Sequence, residues 1–237
     1  MDYKIVTSPL DSHLQEIKAW LNRENDEYQE GFYCNWNVIE KRYYSDNLLV
    51  LTYDDRAIGF LVWEADETDL TVEIVLAEIQ REMRHKQLGK FMVDNSIQYF
   101  SDLGMKIIKL HCEPVESKGF WIGQGFIDLP SVGYDLPLNS LYRPLIEVCY
   151  VQSAKGLNSI ELWNSDPARG LPSWIWNIEF KGNSDELTLP IIHPCHGDWN
   201  VRWTKNGLVV NENRVKRFST DKTIYIDHFM YISELTE

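Results

Sequence analysis

The sequence lacks any long apolar segment and any sign of export. No run of about 18 apolar residues occurs, so we predict no membrane-spanning helix and no membrane partner. The first residues, Met-Asp-Tyr-Lys-Ile-Val-Thr, have the alternation of a strand rather than the composition of a signal peptide. The four cysteines are scattered without pairing spacing. We therefore expect a cytoplasmic protein with reduced thiols.

Motifs of several common site chemistries are also missing. There is no Walker sequence, and the glycines between residues 119 and 125 do not follow a strand, as a dinucleotide fingerprint requires. No spacing suggests a Ser-His-Asp set. Residues 193–196 (His-Pro-Cys-His) with Asp198 have the composition of a metal site, but their spacing is too tight for one tetrahedral centre. We interpret them as a polar loop and predict no metal.

Positive charge is scarce. The net charge is −13, from 23 basic and 36 acidic residues, and residues 1–150 hold 14 of the basic and 25 of the acidic ones. A strongly acidic N-terminal part argues against a nucleic-acid partner and suits a cationic amine acceptor. An acidic surface that only interacts with solvent explains the same numbers equally well.

The first 152 residues alternate between helix-like and strand-like patterns. Apolar residues recur at helical spacing over 11–21, and 47–65 form a hairpin around an Asp-Asp turn. Residues 67–79 continue as a strand, and strict alternation divides its side chains between two faces: Val72, Ile74 and Leu76 on one, and Glu73, Val75, Ala77 and Ile79 on the other. A strand at 105–112 and a closing strand at 142–151 complete a mixed central sheet. A helix at 116–123 is one of the helices that flank it.

Residues 153–237 have a different composition and predict a second domain. Five of the nine tryptophans fall here. The turn Lys-Asn-Gly at 205–207 is a strong hairpin signal, and alternation at 173–180 and 223–232 indicates antiparallel strands. The fold class is therefore α/β (α+β), with domains at 1–152 and 153–237, the second small, antiparallel and β-rich. Tryptophans buried in a small β core are the favoured interpretation, and exposed tryptophans that bind a carbohydrate or peptide are the alternative.

The stretch 73–90 carries the main functional signal. It runs from a strand through a charged loop into a helix that begins at about Gln87. Free N–H groups and the positive end of the helix dipole favour a phosphate at such a turn. Arg84, Lys86 and Lys90 add positive charge, and Gly89 allows a ligand to approach the backbone closely.

Two segments resemble the signatures of one known family. Residues 83–92 (Met-Arg-His-Lys-Gln-Leu-Gly-Lys-Phe-Met) resemble the pyrophosphate loop of the GNAT N-acetyltransferase superfamily, in which Arg or Gln is followed by two residues, Gly, one residue, and Gly or Ala. Arg84 and Gly89 match its ends, and Gln87 replaces the middle Gly. Residues 119–126 (Gly-Phe-Trp-Ile-Gly-Gln-Gly-Phe) resemble the second signature, a short aromatic helix ending in Gly-Phe. The resemblance covers about residues 1–150 and implies a GNAT-like sheet with acetyl-CoA as co-substrate.

The resemblance also implies which residues bind the cofactor. In the family, backbone N–H groups of the central strand bind the thioester and pantetheine, and the loop holds the pyrophosphate, mostly through backbone N–H groups. The corresponding residues here are Leu76, Ala77 and Ile79 of the strand, and Arg84, His85, Lys86, Gln87, Leu88, Gly89 and Lys90 of the loop.

A catalytic residue follows from the same resemblance. In the histone-type branch of the family, a strand glutamate 11 residues before the loop arginine acts as general base, and Glu73 has that position. A half-buried carboxylate there would have a raised pKa, which suits a base. Pairing of Glu73 across the sheet, and Glu78 as base, are the alternatives. Trp121 stands where the family has its tyrosine acid, and an indole does not release its proton. Water or another tyrosine such as Tyr134 would then protonate the leaving thiolate, or the thiolate would leave without a proton.

The implied function is acetyl transfer from acetyl-CoA to a primary amine of a small molecule or protein, by direct attack. Residues 22–33 would cover the acceptor site. Tyr28, Phe32, Tyr33 and Trp36 could line it, although packing on the core is the favoured role for these aromatics. A homodimer is one expected assembly. The substitutions at Gln87 and Trp121 motivate an alternative, a non-catalytic module that binds CoA or a protein or carbohydrate partner through the C-terminal domain.

Overall fold

The computed structural model describes residues 2–132, 138–218, 223–226 and 228–236, without the side chains of Arg169 and of residues 223–226. The chain divides into two compact units. The first comprises Met1–Asp128 and Leu138–Leu145, and the second contains most of the remainder, from Ile146 onward. The domain boundary at residue 152 stays a prediction.

The first unit is built on a mixed seven-stranded sheet. Its strands are β1 (Tyr3–Val6), β2 (Leu48–Tyr53), β3 (Arg56–Asp66), β4 (Thr71–Ile79), β5 (Ile107–His111), β6 (Ile127–Asp128) and β7 (Ser140–Pro144). The spatial order is β1-β2-β3-β4-β5-β7-β6, and all neighbours are antiparallel except β4 and β5. The helices are α1 (Asp11–Tyr28), α2 (Trp36–Tyr43), α3 (Leu88–Asp102) and α4 (Lys118–Gly123).

Helices cover both faces of this sheet. One apolar cluster joins α1 and α2 to residues of β2 and β3. A second joins α3 and α4 to the other face, with Phe100 and Trp121 among its members. The mixed α/β class predicted for this part is confirmed.

Several predicted ends in the first unit are wrong, including the start of β4, which is Thr71 rather than residue 67, because residues 67–70 form a turn. Helix α1 continues to Tyr28 rather than ending at Leu21, because its buried face extends to Glu24, whose carboxylate has partners inside the protein. Strand β7 ends at Pro144 rather than residue 151. Proline has no N–H for a strand ladder, and the chain leaves the sheet there.

The second unit consists of antiparallel strands. They are β8 (Ser159–Trp163), β9 (Trp174–Asn177), β10 (Glu186–Pro194), β11 (Asn200–Lys205), β12 (Leu208–Arg214), β13 (Thr223–Ile226) and β14 (Phe229–Glu234). One sheet has the order β12-β11-β8-β9 and the other β10-β14-β13. The antiparallel β-rich prediction is confirmed, and the predicted hairpin turn has positive φ at Asn206 and Gly207. The alternating segment 223–232 spans two strands rather than one.

The tryptophans of the second unit have two environments. Trp163, Trp176 and Trp203 are buried in its core, as the favoured interpretation expects. Trp174 and Trp199 are half-buried and stack with ring centroids 5.2 Å apart. His193 lies against the rings of Trp174 and Trp176, and its burial lowers its pKa to about 4.

The described ranges contain neither a membrane-spanning helix nor a metal-binding cluster of side chains. No helix there is long and apolar enough to cross a membrane. No group of three or more His, Cys, Asp or Glu side chains there is arranged to hold a metal ion.

Strands β3 and β4 approach each other closely at Gly59. A Cβ on Gly59 would lie 2.6 Å from Cδ1 of Ile79 and 3.0 Å from the carbonyl oxygen of Glu78. We expect Gly59→Ala to lower the free energy of unfolding by about 1–3 kcal/mol, because backbone must shift to admit the methyl group. Gly119→Ala is the matched control. Nothing lies within 4 Å of a Cβ there, so the change should be neutral or stabilising by up to about 1 kcal/mol. Urea unfolding measures both, and equal effects would contradict the contact.

Candidate active site

The central sheet opens between β4 and β5. Their parallel pairing runs from Thr71 with Ile107 to Ile74 with Leu110 and stops there. Beyond Ile74, β4 is paired only with β3 as far as Ile79. Alternate residues of an antiparallel strand direct their N–H and C=O groups away from the paired neighbour. In the described part of the chain no strand pairs with these groups, so they face the opening.

A β-bulge lies at the start of the opening. The register of β4 against β3 shifts at Val75, which has no opposite residue. The predicted strict alternation of β4 is therefore wrong. Ile74 packs in the same cluster as Ala77 and Ile79, while Leu76 packs on the α1 side. The extra residue inverts the side-chain phase, because a strand has a period of two.

A cavity of about 1070 Å³ occupies the opening. This volume lies just above the usual range of about 300–1,000 Å³ for small-molecule sites. Nine of the ten residues that the resemblance implies for cofactor binding line it: Leu76, Ala77, Ile79, Arg84, His85, Gln87, Leu88, Gly89 and Lys90. Lys86 does not line it and donates to the carbonyl oxygen of Glu82 at 2.9 Å.

The loop between β4 and α3 presents unpaired N–H groups. His85 and Gln87 have φ values of 62° and 61°, in the left-handed region. The first helical bond of α3 runs from the N–H of Phe91 to the carbonyl of Gln87, so the first-turn N–H groups from Leu88 have no helical partner. Successive free N–H groups at a helix N-terminus form an anion site. Gln87 thus adopts a backbone conformation that glycine favours, at a strain of about 1 kcal/mol.

Gly89 forms part of the cavity wall at a close contact. A Cβ at this position would lie 3.2 Å from Cζ of Phe120, which is on α4 and also lines the cavity. The first turn of α3 therefore approaches α4 closely because Gly89 has no side chain.

The guanidinium of Arg84 is bound by protein groups. Its Nε donates to the carbonyl oxygen of Ile79 at 2.9 Å. Its Nη2 donates to Oε1 of Glu78 at 2.9 Å and to Oε2 of Glu24 at 3.4 Å. Arg84 therefore anchors the start of the loop to β4 and α1.

Glu73 is placed differently from the expectation. Its side chain is exposed rather than half-buried, and it is not among the residues that line the cavity. Its opposite residues are Glu64 on β3 and Lys109 on β5. The reason is that Glu73 precedes the bulge, in the part of β4 that is still paired on both sides. Its catalytic role stays a prediction from the resemblance.

Glu78 is the carboxylate that the fold places in the cavity wall. It is 7% exposed, and its Oε2 accepts the backbone N–H of Phe32 at 3.2 Å. Gly31 lies over the carboxylate, since a Cβ there would be 3.2 Å from Oε1. Burial raises the pKa of Glu78 to about 7, against the lowering effect of the Phe32 N–H and of Arg84.

The wall opposite β4 has protic groups, of which sequence reasoning missed His111 and Ser117. Trp121 lines the cavity, is 8% exposed and packs edge-on against Phe126. Tyr134 lies outside the described residues. His111 ends β5 and also lines the cavity, as does Ser117. His111 had a signal in the sequence, its position at the carboxyl end of a parallel strand, where ligands gather.

Among the aromatics proposed for the acceptor side, Phe32 lines the cavity. The Tyr28 ring instead lies 4.2 Å from the guanidinium carbon of Arg81, and the Trp36 ring lies 4.9 Å from Nζ of Lys18. Tyr33, like Phe32 and Trp36, packs on the apolar cluster of α1. Core packing therefore accounts for part of this aromatic segment, and the cavity uses one member.

Residues 14–126 match the model of the Acetyltransferase (GNAT) family. This segment is a GNAT acetyltransferase domain. GNAT acetyltransferases use acetyl-CoA and take an amine acceptor. The C-terminal part of the chain is not covered by the family model.

Several solved GNAT structures are similar to this chain. An acetyltransferase of the family from Staphylococcus aureus has 16% identity and a TM-score of 0.48, covering 61% of this chain and 100% of that chain. The PaiA N-acetyltransferase from Thermoplasma acidophilum, in complex with coenzyme A, has 17% identity and a TM-score of 0.44, covering 60% and 97%. N-acetylglutamate synthase from Neisseria gonorrhoeae has 13% identity and a TM-score of 0.47, covering 62% and 36%. No curated protein matches the sequence.

The pKa of Glu78 has a consequence for stability. Its native pKa of about 7 exceeds the ordinary value of 4.5, so the native state binds this proton more tightly than the unfolded state. The stabilisation is full below pH 4.5 and is lost as pH rises through about 7. Relative to Glu78→Gln, which cannot titrate, the wild type should lose up to about 3 kcal/mol between pH 4.5 and 8. Urea unfolding of both proteins at several pH values measures this difference, and a constant difference would contradict it.

Proposed function

We propose that this protein transfers an acetyl group from acetyl-CoA to a primary amine, with Glu78 as general base. The observation that carries the proposal is the placement of a buried carboxylate and an anion-binding loop in the wall of one cavity. Acetyl transfer needs both, since the donor is a polyanion and the acceptor must lose a proton.

The residues fit the cofactor of the family. Acetyl-CoA supplies the acyl group as a thioester. Free N–H groups of the loop and of the first turn of α3 would hold its phosphates, and Lys90 adds charge on the cavity wall. Outward-facing backbone groups of β4 at Ala77 and Ile79, other than the Ile79 carbonyl that Arg84 binds, would hold its extended part and donate to the acyl oxygen.

Glu78 has the properties of a base that works near neutral pH. An ammonium must become a neutral amine before its nitrogen can attack the acyl carbon, and the proton passes to a carboxylate oxygen of Glu78. A pKa of about 7 leaves a large ionised fraction at neutral pH and still gives useful proton affinity. Arg84 and the N–H of Phe32 hold the carboxylate in place. The base of the proposal is thus Glu78, the second choice from the sequence, rather than the exposed Glu73.

The charges around the cavity suit a cationic acceptor. Besides Glu78, its lining carboxylates are Glu30, Glu113 and Glu116, whereas its lining arginine and lysine, Arg84 and Lys90, belong to the loop and α3. A small-molecule amine or a protein amine would meet this acidic lining. The thiolate of CoA leaves without a proton from Trp121, whose indole is not acidic.

Binding of the cofactor is tested at Gly89. We expect Gly89→Trp to weaken CoA binding at least about 100-fold in calorimetric titration, because the new side chain fills the space between α3 and Phe120. Gly119→Trp is the matched control, since Gly119 does not line the cavity and a Cβ there meets nothing within 4 Å. Unchanged binding in the Gly89 variant would place the cofactor elsewhere.

The base is tested by comparing two glutamates of β4. Glu78→Gln should lower kcat by about 10²–10⁴. Glu73→Gln should leave kcat within a few-fold of wild type, because that side chain is exposed outside the cavity lining. In the wild type, kcat/KM should fall as pH drops below about 7. A large loss of kcat in Glu73→Gln and a small one in Glu78→Gln would identify Glu73 as the base.

CoA binding without transfer to any amine of a broad panel would favour the non-catalytic module.

A further inference from the structure

A second buried carboxylate lies behind Glu78 and takes no part in the proposed chemistry. Glu24, on α1, is 1% exposed and does not line the cavity. Its Oε1 accepts the backbone N–H of Arg81 at 2.7 Å, and its Oε2 accepts from Nη2 of Arg84 at 3.4 Å. Transfer of a carboxylate from water to the protein interior is costly unless polar partners compensate for it. The burial of Glu24 therefore calls for an explanation.

Glu24 and Glu78 share one cation. The nitrogen Nη2 of Arg84 donates to both, at 3.4 Å to Glu24 and 2.9 Å to Glu78. Glu30 reaches Arg84 only at 3.9 Å, is half-exposed and is paired with Arg81. Two buried carboxylates around one guanidinium leave an excess negative charge when both are ionised, and binding one proton relieves it.

Charged and polar groups surround the Glu78 carboxylate on several sides. From α1, Glu78 faces Glu24; from the loop after β4, it faces Arg84; and from the segment after α1, it faces the N–H of Phe32, with Glu30 acting through Arg84. Its opposite residue on β3 is Phe60, which carries no charge. Glu24 has the shorter bond to a backbone N–H, 2.7 Å against 3.2 Å. Burial raises the pKa of Glu78 to about 7, so this carboxyl takes up a proton near neutral pH.

We propose that Glu24 is a positioning residue, which shares Arg84 with Glu78, withholds part of the counter-charge from it and so makes Glu78 a stronger base. The same contacts hold both ends of the segment from Arg81 to Arg84, so Glu24 also fixes the start of the cofactor loop. The kinetic consequence rests on the proposed function, whereas the charge coupling does not.

The coupling is measured directly on the Glu78 carboxyl. Protein labelled with ¹³C at glutamate side chains is titrated by NMR, and the Glu78 signal is the one missing in Glu78→Gln. In Glu24→Gln the midpoint of Glu78 should fall by on the order of one pH unit, because a negative neighbour is removed. The amide oxygen of this variant still accepts the N–H of Arg81. In Arg84→Gln the midpoint should rise. Glu30→Gln, the matched control at a half-exposed acid, should shift it less.

An unchanged Glu78 midpoint in Glu24→Gln overturns the proposal. If that variant does not fold, Arg84→Gln decides, and a midpoint that fails to rise there overturns it. Kinetics separate this inference from the proposed function. When Glu78 is the base, the acid limb of kcat/KM moves with the midpoint in Glu24→Gln. A midpoint that moves while the limb stays fixed supports the charge coupling and removes Glu78 from the role of base.

Discussion

One edge of strand β4 is left without a partner beyond Ile74, and the rest of the site depends on that edge. A strand inside a sheet normally satisfies its N–H and C=O groups on both sides. Here β3 holds one side, with Gly59 allowing a very close approach at Ile79. The other side faces a cavity. The bulge at Val75 then turns Glu78 toward α1 while Ile79 keeps its packing on the α3 side. One extra residue therefore creates the placement of the buried acid beside the free backbone groups.

The loop that follows is held in place by charge as well as by the apolar packing of Met83. Arg84 bonds to Ile79, Glu78 and Glu24, and Glu24 also binds the N–H of Arg81. These bonds fix both ends of the turn before the backbone reaches the left-handed residues that expose N–H groups. Preorganised donors bind an anion more tightly than mobile donors do, because binding does not have to include the free-energy cost of ordering them. The strained conformation at Gln87 persists because the surrounding bonds determine it.

Local patterns in the sequence predicted the strand–loop–helix at 73–90, the mixed sheet and the antiparallel second part, since these depend on residue spacing over short distances. The bulge at Val75 has no such signal, so strict alternation misplaced Leu76 and directed attention to Glu73. The spacing of 11 residues before Arg84 points to Glu73, whereas the burial seen in the structure points to Glu78, which follows the bulge. Glu24 lies in the segment 22–33, which the resemblance predicts to cover the acceptor site. Its partners, Arg81 and Arg84, lie about 60 positions away and become visible only when α1 packs on the sheet.

The charge distribution gives the two proposed substrates different routes of recognition. The acidic first part of the chain repels a polyanion at long range and attracts an ammonium, though both effects fade beyond about 8 Å at physiological salt. A phosphate group must therefore be captured by short-range donors, which the loop and the first turn of α3 supply. A cationic acceptor needs no such preformed contacts to approach the cavity. If Glu24 keeps Arg84 shared, the arginine at the loop's start is largely neutralised by carboxylates. The free backbone N–H groups, rather than that side chain, then have to provide most of the attraction for the anion.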